Sequence, residues 1–152
     1  MTKRTQAERQ AIPAEFERTM SHSGFSTHVG PYHVAQIEND EGTSEYWTAL
    51  KVDERHAGRG GGEFGHGGML MALLDESMGR AASRATGKVC VTVSMQTNFC
   101  APFRDGDFLR ASARVRRRGR NMVFVDGLVL CGDALIGTAS GVWMNSGQPL
   151  PS

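Results

Sequence analysis

The residues best placed to do chemistry surround the start of a predicted helix. His66, Gly67 and Gly68 follow a glycine-rich loop and lead directly into an apolar segment, Met69 to Ala85, whose hydrophobic residues recur with a helical period of about 3.6 residues. Glycines at this position leave the unpaired N–H groups of the first turn open to a ligand, at the positive end of the helix dipole. Such a helix start suits the stabilisation of a developing oxyanion.

Asp75 lies at the rim of the apolar face of this predicted helix. A carboxylate at the margin of a buried face is partly desolvated, which suits a general base. Glu76, one position further round the helix, is predicted to be solvated. A structural alternative has equal weight on these residues alone: the glycines form a turn, and Asp75 is a hydrogen-bonding residue without a catalytic role.

Length and composition restrict the classes of protein to consider. The 152 residues predict one domain with its own core, and a net charge of +1 gives no attraction toward nucleic acid or membrane surfaces. No apolar segment is long enough to span a bilayer, and the polar N-terminus predicts no secretory signal. Three widely spaced cysteines favour a reducing, cytoplasmic setting. Five histidines without ligand spacing predict neither a metal site nor a cofactor.

The order of the predicted elements is that of an α+β fold. We predict an N-terminal helical arm over residues 1–23, interrupted at Pro13, that packs on the outside of a single domain at 24–146 or on a partner subunit. A C-terminal tail is predicted at 147–152. Extended segments are predicted at 32–37 and 46–52 as a hairpin before the helix, and at 88–99, 108–116, 122–130 and 134–144 after it. This order predicts one long helix packed across a largely antiparallel sheet.

The segment from Lys88 to Phe99 has the clearest alternation in the chain. One predicted face carries Val89, Val91, Val93 and Met95, and the other carries Cys90, Thr92, Ser94 and Gln96. The second face is small and polar. A strand that lines a ligand channel or contacts another subunit would have such a face.

Five arginines form the densest charge cluster: Arg114, Arg116, Arg117, Arg118 and Arg120. A charged, solvated edge strand is one interpretation. Another is a binding surface for an anionic ligand, since clustered guanidinium groups bind phosphate well. Nucleic-acid binding is less favoured, because aromatic residues do not alternate with the arginines and the overall charge is balanced.

A set of motifs in order resembles a known family. The motifs are His66-Gly67-Gly68 with an acid nine residues after the histidine, a Val-Thr-Val-x-Met strand that ends in Ala101-Pro102, then Gly106-Asp107 and Gly119-Arg120. Together they resemble the hotdog-fold acyl-CoA thioesterases of the phenylacetate-degradation (PaaI-like) type, over about residues 52–142. The ordered set is far more specific than any single motif.

The resemblance implies a hotdog fold, in which an antiparallel sheet wraps one long helix. It also implies dimers that continue the sheet, often paired into homotetramers, with active sites at subunit boundaries. In such a site Asp75 would act as nucleophile or general base, and the backbone N–H of Gly68 would polarise the thioester carbonyl. Thr92 would position the water or the acid, with His66 in support.

Substrate contacts are predicted at Gly67 and Gly60 in the glycine loop, and Arg118 and Arg120 are predicted to hold the CoA phosphates. The acyl pocket would be shaped by the packing of Met69, Met71, Met78 and Phe99 and by the partner subunit. The family usually has an asparagine six residues before the motif histidine, where this chain has Gly60, or Gly58 if the loop is longer. A non-catalytic acyl-CoA binding or regulatory protein is therefore the alternative hypothesis. A hotdog hydratase is less favoured, because its pairing of an acid with a histidine is not seen here.

Overall fold

The structure is a computed structural model that describes residues 10–19, 24–59 and 63–151. Its strands are β1 (Glu17–Arg18), β2 (Tyr32–Glu38), β3 (Ser44–Lys51), β4 (Lys88–Phe99), β5 (Phe108–Arg118), β6 (Met122–Cys131) and β7 (Ala134–Pro149), and its helices are α1 (Gly24–Val29) and α2 (Gly67–Thr86). The strands form one antiparallel sheet in the order β1-β2-β3-β5-β6-β7-β4. The predicted α+β fold, with a long helix across an antiparallel sheet, is confirmed.

Helix α2 forms because its apolar residues share one face and both of its ends are capped. The His66 side chain accepts a hydrogen bond at the N-terminus, and Gly87 ends the helix in the left-handed conformation, with φ of 68°. Its buried face includes Leu70, Leu73, Leu74 and Met78. These side chains pack on the inner face of the sheet, which contributes Leu109, Val123, Val125, Val129 and Trp143 to the same core.

Two sheet glycines let the helix approach closely. A Cβ at Gly127 would lie 2.8 Å from the sulfur of Met78, and a Cβ at Gly137 would lie 2.9 Å from Leu70. Side chains at these positions would force α2 away from the sheet. The glycines therefore help to set the height of the helix above the strands.

The outer face of the sheet carries a second, smaller core. It consists of Phe16, Ala35, Trp47, Ala49 and Phe108. The rings of Phe16 and Phe108 meet edge to face, with centroids 5.1 Å apart. Residues 10–19 therefore cover part of this face.

The helical prediction for residues 1–23 is wrong where the structure describes them, at 10–19. There, β1 pairs with β2, at Glu17↔Val34 and Arg18↔His33. As an extended strand, this segment forms backbone hydrogen bonds with the edge of β2 and places Phe16 in the outer core. These contacts stabilise the strand more than the short helices predicted on either side of Pro13 would be stabilised. The rest of the arm, at 1–9 and 20–23, lies outside the described residues.

Two further boundaries differ from prediction. Residues 24–29 form the helix α1, at a place where no element is predicted. The final strand continues to Pro149, which pairs with Lys88, so the predicted tail from residue 147 is partly strand. The reason is that β4 starts directly after α2 and offers β7 a partner along its whole length.

A β-bulge changes the predicted faces of β4. The pairing with β7 shifts between Thr92 and Ser94, which leaves Val93 as the extra residue. Thr92 points to α2 before the bulge, and Met95 packs against the inner core after it. The predicted alternation therefore fails beyond Thr92, because one inserted residue exchanges the two faces.

Burial of His33 on β2 predicts an acid-sensitive contribution to stability. Burial, together with the nearby Arg18 guanidinium, holds the pKa of the His33 imidazole below its usual range. The unfolded chain then binds a proton more readily than the folded chain, so this contribution is present above the ordinary histidine pKa of about 6.5 and is lost as the pH falls below it. We expect His33→Gln to flatten the pH dependence of the unfolding free energy between neutral and acidic pH.

The matched control is His28→Gln, since His28 is an exposed histidine on α1. Urea unfolding at several pH values measures the effect. A pH dependence that is the same in wild type and in both variants would contradict the prediction.

Candidate active site

The start of α2 has one engaged and one open amide. The N–H of Gly68 donates to Nδ1 of His66 at 2.9 Å, and the N–H of Met69 donates to the His66 carbonyl at 3.0 Å. The N–H of Gly67 has no acceptor within hydrogen-bonding distance among the residues that the structure describes. The sequence points to Gly68 as the oxyanion donor, but in this geometry the open donor is Gly67.

A buried histidine holds His66 in place. The His66 N–H donates to the carbonyl of His56 at 2.7 Å, and the His56 ring lies between Asp53 and Val29. Nδ1 of His56 accepts from the Asp53 N–H, so its Nε2 carries the proton and donates to the Val29 carbonyl at 2.7 Å. Of the two histidines near the glycine loop, His56 is therefore a structural residue.

Arg55 stabilises the turn that contains Asp53 and His56. Its guanidinium binds the Asp53 carboxylate and also donates to the carbonyls of His28 and Gly30. Burial alone would raise the pKa of the Asp53 carboxyl, but the hydrogen bonds and charge of Arg55 outweigh it and hold that pKa below its usual range. This charged clamp fixes the chain that enters the glycine loop.

The glycine loop returns on itself before α2. Gly58 donates to the Phe64 carbonyl at 2.8 Å, and Ala57 bridges to Gly65. A Cβ at Gly58, one of the two positions where the family asparagine could stand, would find its nearest described neighbours at 3.5 Å, an ordinary contact. Gly60 lies outside the described residues.

Asp75 meets Thr92 between α2 and β4. The Thr92 hydroxyl donates to Oδ1 of Asp75 at 2.6 Å. Gly67, Met71 and Asp75 recur every four residues, so they lie on one stripe of the helix, and this stripe faces the edge strand β4. The structure thus brings Asp75 and Thr92 together, with Gly67 further along the same stripe.

Glu76 is not solvated as predicted. Its side chain is 24% exposed, forms an ion pair with Arg80 at 2.7 Å and accepts from Ser26 at 3.4 Å. The cause is α1, which covers this side of the helix. Tyr32 is buried close by, and burial together with the Glu76 and Asp75 carboxylates holds the pKa of its phenol well above the usual range. The phenol therefore stays protonated.

The two arginines predicted to hold the CoA phosphates lie away from the Asp75–Thr92 contact. Arg118 pairs with Val123, which pairs with Trp143, which pairs with Thr92. Three strand spacings of about 4.8 Å put Arg118 roughly 14 Å from Thr92. Arg118 and Arg120 are both exposed. One chain does not bring either arginine into contact with Asp75.

Two open cavities on the outer face contain none of the predicted catalytic residues. Their volumes are about 460 and 1050 Å³, and both are lined by Arg116, Asp126 and Ser140. Arg116 and Asp126 form an ion pair at 2.5 Å. This part of the arginine cluster is therefore paired on the surface opposite α2.

Two further findings concern the described residues as a whole. They hold no group of three or more histidine, cysteine or acidic side chains arranged to bind a metal ion. None of their helices has the length and apolar character needed to cross a membrane.

Comparison with known proteins identifies the family. The model of the thioesterase superfamily matches residues 63–137, which include the glycine loop, α2 and β4. A protein of Pseudomonas aeruginosa that carries the provisional name of an esterase is 32% identical over 134 residues, which are 87% of this chain and 96% of that protein.

Solved structures share the fold. The PaaI protein from the Escherichia coli phenylacetic acid degradation operon superposes with a TM-score of 0.72 at 19% identity, covering 86% of this chain and 89% of that one. A Streptococcus mutans protein bound to acetyl-CoA superposes with a TM-score of 0.67 at 22% identity, covering 78% and 91%. This chain belongs to the thioesterase superfamily and is a PaaI-like hotdog-fold member of it.

Proposed function

We propose that the protein hydrolyses the thioester of a small aryl or aliphatic acyl-CoA, with Asp75 as general base or nucleophile. The observation that carries this proposal is the hydrogen bond of 2.6 Å from Thr92 to Asp75 beside a helix start with an open N–H at Gly67. Family membership supports it, and so does the acetyl-CoA bound to the Streptococcus mutans relative.

In the general-base route the thioester oxygen accepts a hydrogen bond from Gly67, at the positive end of α2. Asp75 takes a proton from a water molecule while the oxygen of that water bonds to the carbonyl carbon. The tetrahedral intermediate then collapses, the C–S bond breaks, and the proton passes to the departing thiolate. His66 contributes by holding the helix start through Gly68. Loss of one oxyanion donor typically costs an enzyme about 2.7 to 4 kcal/mol of barrier.

The spacing of Gly67 and Asp75 argues for a site shared by two chains. They are eight positions apart on α2, which at about 1.5 Å per residue is about 12 Å. One reacting carbonyl needs the N–H within about 3.5 Å and the carboxylate in contact either with the carbonyl carbon or with the attacking water. We therefore place the reaction between Gly67 of one chain and Asp75 of a second copy. β4 ends the strand order of the described sheet, so it can pair with β4 of that copy.

Antiparallel pairing centred near Met95 and Gln96 would bring the Phe99 end of one β4 beside Thr92 of the other. The predicted homodimer, or a homotetramer built from it, follows from this arrangement. Arg118 and Arg120 remain predicted contacts to the CoA phosphates, which the pantetheine arm separates from the thioester.

The first test of the function is thiol release, followed with a chromogenic thiol reagent, over a panel of acyl-CoAs from short aliphatic to arylacetyl. Turnover of any member supports hydrolysis. If no member of the panel releases thiol but a non-hydrolysable acyl-CoA analogue binds tightly, the result would instead support the non-catalytic binding protein. The observation that favours this alternative is the glycine at position 58, where a Cβ would make only ordinary contacts and the family asparagine is absent.

Thr92→Val tests the contact to Asp75. Valine keeps the shape of threonine but removes the hydroxyl, and a hydrogen bond to a charged group contributes about 1.5 to 3 kcal/mol, so we expect kcat to fall about 10- to 100-fold. Thr92→Ser keeps the donor and should retain most of the activity. Equal rates for Thr92→Val and wild type would show that the contact does not serve the reaction.

A further inference from the structure

Four apolar side chains are candidates for shaping the acyl pocket, and the structure separates them into two pairs. Met69 and Met78 are 7% and 0% exposed and belong to the inner core. Met71 and Phe99 are 39% and 58% exposed. A substrate could contact only the second pair without disturbing the core.

The ring of Phe99 lies against Gly67, the residue that carries the open amide. The ring is 3.1 and 3.2 Å from the position that a Cβ on Gly67 would take. Phe99 pairs with Gly137, a position that faces Leu70 of α2, so the side chain of Phe99 is on the helix side of β4. The bulge at Val93 places it there.

Met71, the second exposed apolar residue, lies on the helix face that carries Gly67. It is one helical turn beyond Gly67 on the stripe that faces β4. Side chains of a helix lean toward its N-terminus, so Met71 extends back over the turn that contains Gly67. Phe99 and Met71 therefore present apolar side chains beside Gly67, a surface here called the Phe99–Met71 wall.

A carbonyl held by Gly67 must place one of its two substituents against this wall. The pantetheine arm contains amides that need hydrogen-bonding partners, which neither phenylalanine nor methionine side chains provide well. An alkyl or aryl group gains free energy by leaving water for such a surface. We infer that the Phe99–Met71 wall contacts the acyl group and makes the protein select acyl-CoAs by the apolar area of that group. This inference rests on the proposed function.

The test measures kcat/KM for acetyl-, butyryl-, hexanoyl- and octanoyl-CoA with wild type, Phe99→Ala and Met71→Ala. One buried methylene contributes about 0.8 kcal/mol, so kcat/KM should rise up to about fourfold for each methylene that reaches the wall. Both variants should flatten that rise, so that the ratio of kcat/KM for octanoyl-CoA to kcat/KM for acetyl-CoA falls relative to wild type. Val91→Ala is the matched control, because Val91 is 44% exposed on the same strand but faces away from α2.

A uniform fall in kcat/KM across all chain lengths would assign Phe99 to the thiol side and overturn the inference, as would an unchanged slope. Failure of the proposed function looks different, because wild type would then release no thiol from any substrate. In that case calorimetric binding of non-hydrolysable thioether analogues of the same chain lengths measures the slope without catalysis. The same flattening is expected there, and its absence would again overturn the inference.

Discussion

Asp75→Asn is expected to abolish thioester turnover and to leave the fold intact. Asparagine has nearly the same shape as aspartate, and its side-chain oxygen can still accept the hydrogen bond from Thr92. The amide cannot take a proton from water and is not a nucleophile. General-base catalysis contributes about 10²- to 10⁴-fold, so the loss of kcat should be at least of this size. Thiol release from the best substrate of the acyl-CoA panel measures it.

The control is Asp133→Asn, which makes the same chemical change at an exposed residue in the β6–β7 turn. This variant should turn over like wild type. Circular dichroism and thermal unfolding verify that Asp75→Asn is folded, as expected for a partly buried side chain that keeps its hydrogen bond. A wild-type rate in the Asp75→Asn protein would refute the mechanism for either role of the carboxylate.

Gly65→Ala is expected to cause the largest loss of stability, about 3 kcal/mol or more. A Cβ at Gly65 would lie 1.8 Å from Cε2 of Phe103, with two more ring carbons within 2.5 Å. Phe103 is buried and cannot swing into solvent. The Gly65 N–H also donates to the Phe103 carbonyl at 2.7 Å, so the backbone cannot move away without losing that bond. Urea unfolding measures the change.

Gly24→Ala is the matched control, because no atom of the residues at 10–19, 24–59 and 63–151 lies within 4 Å of a Cβ there. Adding Phe103→Leu to Gly65→Ala should recover part of the lost stability, since a smaller side chain relieves the clash. If Gly65→Ala were no less stable than Gly24→Ala, the close packing between the glycine loop and Phe103 would be wrong. Because this loop leads to His66, we also expect Gly65→Ala to lower activity.

The predictable part of the fold rests on long, regular segments. The period of α2 is clear over its whole length, and the hairpin before it and the strands after it alternate well enough to predict an antiparallel sheet. The exceptions depend on contacts between distant residues. β1 exists because β2 has an open edge beside the outer core, and β7 extends because β4 is there to pair with it. No local pattern contains that information.

By itself, the sequence determined the chemical groups and their order: a glycine-rich helix start, an acid on the helix, and a hydroxyl on the following strand. The family resemblance implied a role for Thr92 beside Asp75, and the structure shows their hydrogen bond of 2.6 Å. The tertiary structure decided which amide is open, since the His66 ring turns back onto Gly68 and the Gly67 N–H finds no acceptor in the described part of the chain. It also decided which apolar residues flank that amide, because a single extra residue at Val93 turns Phe99 toward the helix, and alternation along the chain does not reveal the insertion.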